Sequence, residues 1–182
     1  MKTAPEANPT PAQSPDNNPK RPSRSVFDTI LTTARFASVL FSGLFAGFLT
    51  AVLVLEASLR RFPASVYAQV RLVELDHLDN LATILLPAAL LSTATLVTMT
   101  MRRRERVRWL ALIALGLLSA TFIISVLINV PINTVQESWS VLAPPSDWMV
   151  VRDRWQIAHL MRTTTAVLAF TILAPAAITR RP

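Results

Sequence analysis

Cysteine is absent from the 182-residue chain, which excludes disulfides and thiolate metal sites. Charge is also scarce. Asp, Glu, Lys and Arg together make up 16% of residues, against 52% that are hydrophobic. Spread over four long apolar runs, that balance describes a membrane protein. Histidine occurs only at His77 and His159. Two histidines and a carboxylate could make a non-haem iron triad, but no HxxxH step is present, so no metal or other cofactor is assigned. A signal peptide is missing too, because no short apolar core with a small-residue cleavage site precedes the first long run. There is neither a repeated half nor a pair of broken helices, which argues against a transporter.

The apolar runs set the architecture. Residues 1–30 read as an N-terminal tail. Its first part, to about Pro22, is rich in Pro, Asn, Ala and Ser and has the composition of a disordered segment. Residues 31–182 read as an all-α, four-helix transmembrane bundle. The spans are expected at about Phe36 to Ala57, Leu81 to Met101, Trp109 to Ile128 and Thr163 to Ile178, each long enough, or nearly so, for a hydrocarbon core of about 30 Å. Pro87 should kink the second span and leave the Thr83 carbonyl without its helical donor. Gly43 and Gly47 form a GxxxG step that lets another helix approach closely. It can serve a homo-oligomer, or packing within the bundle, which is favoured.

Net charge is +7, but the basic residues cluster beside the spans, at Lys20 to Arg35, Arg102 to Arg108 and Arg180 to Arg181. That pattern marks cytoplasmic loops of a protein in the cytoplasmic membrane, with both termini inside, and not nucleic-acid binding. No Gly or Pro interrupts Ala64 to Leu86, so helix two should begin near Ala64 and rise beyond the membrane on the outer side. Pro144-Pro145-Ser146-Asp147 is a helix-start signal, so helix four should begin near Asp147 and project on the same side.

This topology gathers the unusual polar residues at the outer end. Arg152, Trp155, His159 and Arg162 are three, four and three residues apart and form one helical stripe. Glu56, Tyr67, Arg71, Glu74, His77 and Asn80 come from helices one and two, and Asn129 and Asn133 close helix three around Pro131. Ionisable groups at membrane depth are functional candidates, yet each has a structural reading. Glu56 can pair with Arg60 at i,i+4 spacing or with Arg162. Arg71 and Glu74 can form a simple intrahelical ion pair, the favoured reading. His77 lies between Asp76 and Asp79 at a wet interface. The two asparagines can cap carbonyls freed by the proline or donate to a ligand, and Trp155 can be an interfacial anchor.

The signature Asn129-Val-Pro-Ile-Asn133, then Trp148, then Arg152-x-Arg154-Trp155-x-x-x-His159-x-x-Arg162, on four spans, resembles the anthrone-oxygenase-like family of small membrane proteins. The resemblance covers about Phe36 to Ile178. It implies an oxygenase that inserts oxygen into an anthrone or other planar phenolic substrate, without a recognised cofactor. Carried over by motif, Asn129, Asn133, Arg152, Trp155, His159 and Arg162 would line the site, and Glu56 and His77 are added as substrate-binding candidates from their position. In that reading His159 is the base, Arg162 with Asn133 holds the oxyanion, and Trp155 stacks on the substrate ring. The expected partners are membrane lipid and a small apolar or aromatic substrate. The alternative is a non-enzymatic membrane protein that binds lipid or small molecules, or supports a complex.

Overall fold

The computed structural model describes residues 24–102 and 107–178, and among them there is no strand. The chain forms α1 (Arg24–Leu59), α2 (Ala64–Arg102), α3 (Arg108–Ile124), a π-helical turn (Ser125–Asn129), α4 (Val130–Glu137) and α5 (Trp148–Ile178). Because α3, the π turn and α4 run on without a break, the described residues hold four helices long and apolar enough to cross a membrane. It is an integral membrane protein. At about 1.5 Å rise per residue, the 39 residues of α2 exceed the length that the hydrocarbon core requires.

The helices close into a ring. Helix α1 packs on α2 and α5, and α3 packs on the other sides of the same two helices. Large side chains such as Leu44, Leu91, Ile113 and Leu127 are exposed around the outside, as a lipid-facing surface requires. Inside, three apolar layers stack along the bundle. One holds Leu31, Leu96, Leu118 and Leu173, and the next Phe45, Leu49, Leu86 and Ala166. The last comprises Leu59, Tyr67, Ala68 and Trp139 at one end. Between the second and third lies a layer of buried polar side chains.

Helix α2 begins at Ala64, where the sequence places it, and α5 at Trp148, one residue after the expected start. The bundle reaches back to Arg24, so the helical domain takes in residues expected in the tail. Residues 1–23, with the tail's Pro-rich part, lie outside the described residues, as do Arg103 to Arg106 and Arg180 to Arg181.

The third span departs from expectation. Asn129 and Asn133 do not close it, because the helix continues past Pro131 to Glu137. The π turn accommodates the proline: the Val130 N–H bonds back to the Ser125 carbonyl, and the chain re-enters α-helix with Pro131 in its first turn, where its fixed φ suits the helix. As for the GxxxG step, a Cβ on Gly43 would lie 2.9 Å from the Phe170 ring of α5, whereas Gly47 has open space. Gly43 thus serves packing within the bundle.

Candidate functional site

The inserted residue of the π turn sets which face of α4 looks inward. Asn129, Asn133 and Gln136, at i, i+4 and i+7, form one buried row. Opposite them, α2 presents Arg71 and Glu74, α1 presents Glu56, and α5 presents Trp155, Gln156, His159 and Arg162, all buried.

Arg71 is the first hub. Its Nε donates to Gln136 Oε1 at 2.8 Å, Nη2 to Asn133 Oδ1 at 2.7 Å and Nη1 to Glu74 Oε2 at 2.7 Å. The same Nη1 stands 3.8 Å from Glu56 Oε1. The Arg71–Glu74 pair is therefore intrahelical, as expected, but also ties α2 to α4 and α1. Asn133 is the second hub. Its carbonyl oxygen also accepts from Trp155 Nε1 at 2.7 Å, and its amide nitrogen donates to Asp79 Oδ2 at 2.8 Å. Two donors at the oxygen and a carboxylate at the nitrogen leave one consistent amide orientation.

Further along α5, Arg162 Nε donates to His159 Nδ1 at 2.9 Å. That bond makes Nδ1 the acceptor, so Nε2 carries the proton and donates to the Leu49 carbonyl at 3.0 Å. Both ring nitrogens are engaged, and His159 is fully buried. The imidazole thus positions Arg162, whose Nη1 reaches Ser125 Oγ at 3.4 Å; it presents no free lone pair to a substrate. Trp155 is equally occupied. Its ring stacks on His159 with centroids 4.7 Å apart and planes 8° apart, and the Arg71 guanidinium lies 3.9 Å from its centroid. This tryptophan orders the network and offers little surface for a substrate ring.

The remaining predicted residues divide. Glu56 joins the layer: its Oε2 accepts from Gln156 Nε2 at 2.8 Å, so its partners are Gln156 and Arg71, and neither Arg60 nor Arg162. Asn129 joins through its amide, which donates to the Trp155 carbonyl at 3.3 Å. Arg152 stands apart. It binds Asp153 at 3.0 Å and stacks on Trp148 at 4.9 Å, in a clasp that Arg60 completes by bonding Asp153 and Gln156. His77 lies outside the site, exposed and paired with Asp76 at 2.8 Å.

Two cavities meet this layer. One of about 280 Å³ is bordered by Ala82, Thr83, Leu86, Pro87, Phe122, Ser125, Val126 and Val130, with Asp79, Asn133 and Arg162 on its polar wall. Pro87 carries no N–H for the Thr83 carbonyl, and both residues border the space. Phe122, Val126 and Val130 are about half exposed on the apolar exterior, so the cavity opens sideways between α2 and α3. The second is a void of only about 10 Å³, touched by Arg71, Glu74, Asp79, Trp155 and Arg162. Among the described residues no three His, Cys, Asp or Glu side chains are grouped to hold a metal ion.

Spacing along the helices identifies Trp155, His159, Arg162, Asn129 and Asn133. It misses Asp79, Ser125, Gln136 and Gln156. Gln136 could have been found, because it lies seven residues after Asn129 on the same face. No curated protein and no solved structure matches the chain. Residues 78–172, which carry Asp79, the π turn, both asparagines and the Trp155–Arg162 stripe, match the family model described as anthrone oxygenase; the match spans just over half of the chain, and the protein belongs to that family.

Proposed function

We propose that the protein is an oxygenase acting on a planar phenolic or anthrone-like substrate in the lateral cavity between α2 and α3. The observation that carries this reading is the polar wall. A carboxylate, an amide and a guanidinium (Asp79, Asn133 and Arg162) border a space whose remaining lining is apolar apart from Thr83 and Ser125. At about 280 Å³ it lies near the lower end of the usual range for ligand pockets, roughly 300–1,000 Å³.

An anthrone carries an acidic methylene conjugated to its carbonyl. Asp79 takes one methylene proton, and Arg162 stabilises the enolate oxygen as charge develops there. The carbanion passes electrons to dioxygen and forms a carbon–oxygen bond, giving a peroxide that takes up the proton. Loss of the second hydrogen from the same carbon, with cleavage of the O–O bond, yields the quinone carbonyl and water. Electrons and atoms balance between the substrate and dioxygen, so the scheme needs no cofactor. His159 keeps the guanidinium aimed, and Asn133 holds the base.

We further propose that the protein resides in the cytoplasmic membrane with both termini inside, on the strength of the arginine-rich loop between α2 and α3. The polar layer then lies at the outer side, where a membrane-dissolved substrate enters sideways.

The test is dioxygen uptake together with quinone absorbance, on detergent-purified protein offered anthrones and hydroquinones. Wild-type turnover that falls by about 10²–10⁴-fold in Asp79→Asn supports the scheme; no turnover across the panel overturns it. One observation favours a non-enzymatic reading. A second lateral groove of about 390 Å³, lined by Leu127, Ile128, Pro131, Ile132, Ile157, Ala158 and Met161, has Arg154 at its edge, a setting for a lipid chain with an anionic headgroup. Lipid retained through purification without any turnover would favour it.

A further inference from the structure

Glu56, Arg71 and Glu74 lie outside the matched segment 78–172, and the reaction scheme makes no use of them. Yet they are among the most deeply buried charged groups in the bundle, at 0%, 2% and 4% exposure. Both carboxyls converge on Arg71 Nη1. Each keeps one oxygen, Glu56 Oε1 and Glu74 Oε1, that is buried without a hydrogen-bond donor. The two carboxyls therefore flank one guanidinium nitrogen, Glu74 Oε2 at 2.7 Å and Glu56 Oε1 at 3.8 Å. Two ionised carboxylates facing each other at that depth would repel, and each bare oxygen would bear a desolvation cost.

The pair's own surroundings point the same way: Arg71 is the one guanidinium in contact with both carboxyls, one cation for two acids. His159 is neutral by its hydrogen bonds, and Tyr67, Gln136, Asn133, Trp155 and Gln156 bring no charge. One proton on the pair leaves a single negative charge facing Arg71 and supplies a donor for the two bare oxygens.

We propose that Glu56 and Glu74 share a single proton across the bundle, and that this pair is the proton reserve of the site. Its connection is the small void that Glu74 and Asp79 both border, about the size needed for one water. The first proton returns from Asp79 to the peroxide; the second, taken up at Asp79 as the O–O bond breaks, crosses that water to the Glu56–Glu74 pair and returns through Asp79 to the hydroxide, which leaves as water. This coupling rests on the oxygenase reading; the shared proton does not.

The experiment is infrared difference spectroscopy on the full-length protein in lipid vesicles near neutral pH, in H₂O and D₂O. A protonated carboxylic acid shows a C=O stretch above the amide band that moves down in D₂O. The expected result is such a band in wild type, its loss in both Glu56→Gln and Glu74→Gln, and its survival in Asp79→Asn. The glutamines retain the shape and an acceptor for Arg71, and circular dichroism checks that each variant is folded. No band in wild type, or a band that survives either glutamine substitution, overturns the proposal. If anthrones are turned over, Glu74→Gln should lower kcat at least tenfold with KM unchanged, because Glu74 does not border the substrate cavity. Unchanged kcat in that variant overturns the coupling to Asp79. A wild-type protein with the band and no turnover sinks only the oxygenase reading.

Discussion

Arg71 meets four side chains at once, Gln136 and Asn133 of α4, Glu74 of its own helix and Glu56 of α1, with the Trp155 ring of α5 beneath. Replacing it by methionine strands two buried carboxyls. The expected cost is about 3–5 kcal/mol, the usual penalty for removing one member of a buried ion pair. Thermal unfolding in detergent measures it, and a Tm close to wild type would contradict the network. His159 makes a different prediction. Because it holds Arg162 by a single nitrogen, His159→Ala should reduce turnover without removing the base, leaving activity above that of Asp79→Asn. Equal loss in the two variants would restore the imidazole as the base. Neither outcome was readable from residue types. A histidine three residues before an arginine has the same spacing whether it accepts a substrate proton or an N–H bond, and only the Leu49 carbonyl, more than a hundred positions away in sequence, decides between them.

At the scale of the element, the π turn matters most. Helical periodicity located the inner face of α5, because Trp155, His159 and Arg162 follow a regular i, i+4, i+7 pattern. It did not locate the continuation of the third span, because Pro131 normally signals a helix end and nothing in local composition announces a π turn. The turn lies on the wall of the cavity at Ser125 and Val126, in keeping with the tendency of such turns to occur at functional sites. Deleting Ile128 should restore α-helical register and rotate α4 by about 100°, moving Asn133 and Gln136 off the inner face. The deletion should abolish turnover and lower thermal stability while preserving helical content by circular dichroism. Retained activity would show that the register of α4 is immaterial.

For the whole molecule, four apolar runs and the positions of helix starts were sufficient to read the class and architecture, since membrane spans are specified by length and hydropathy alone. The ring order and the lateral cavity were not readable, because they depend on which faces meet. Gly43 illustrates the limit: a GxxxG step looks the same whether its partner is another copy or a helix of the same chain, and only the structure puts Gly43 against Phe170 of α5. Gly43→Leu should therefore destabilise the bundle by about 1–3 kcal/mol through overpacking, whereas Gly47→Ala should leave it near wild type. Detergent-resistant unfolding assays separate the two, and equal tolerance would remove Gly43 from the core.

The sideways mouth of the cavity has a thermodynamic corollary. A ligand that arrives through the bilayer is supplied at its mole fraction in lipid, so its half-saturating aqueous concentration reflects its partition coefficient as much as its fit. Under the proposed reaction, two substrates held equally well by Arg162 and Asp79 would differ in apparent affinity in proportion to their lipophilicity. Diluting the same protein and substrate with extra detergent or vesicles would weaken binding with no change at the site.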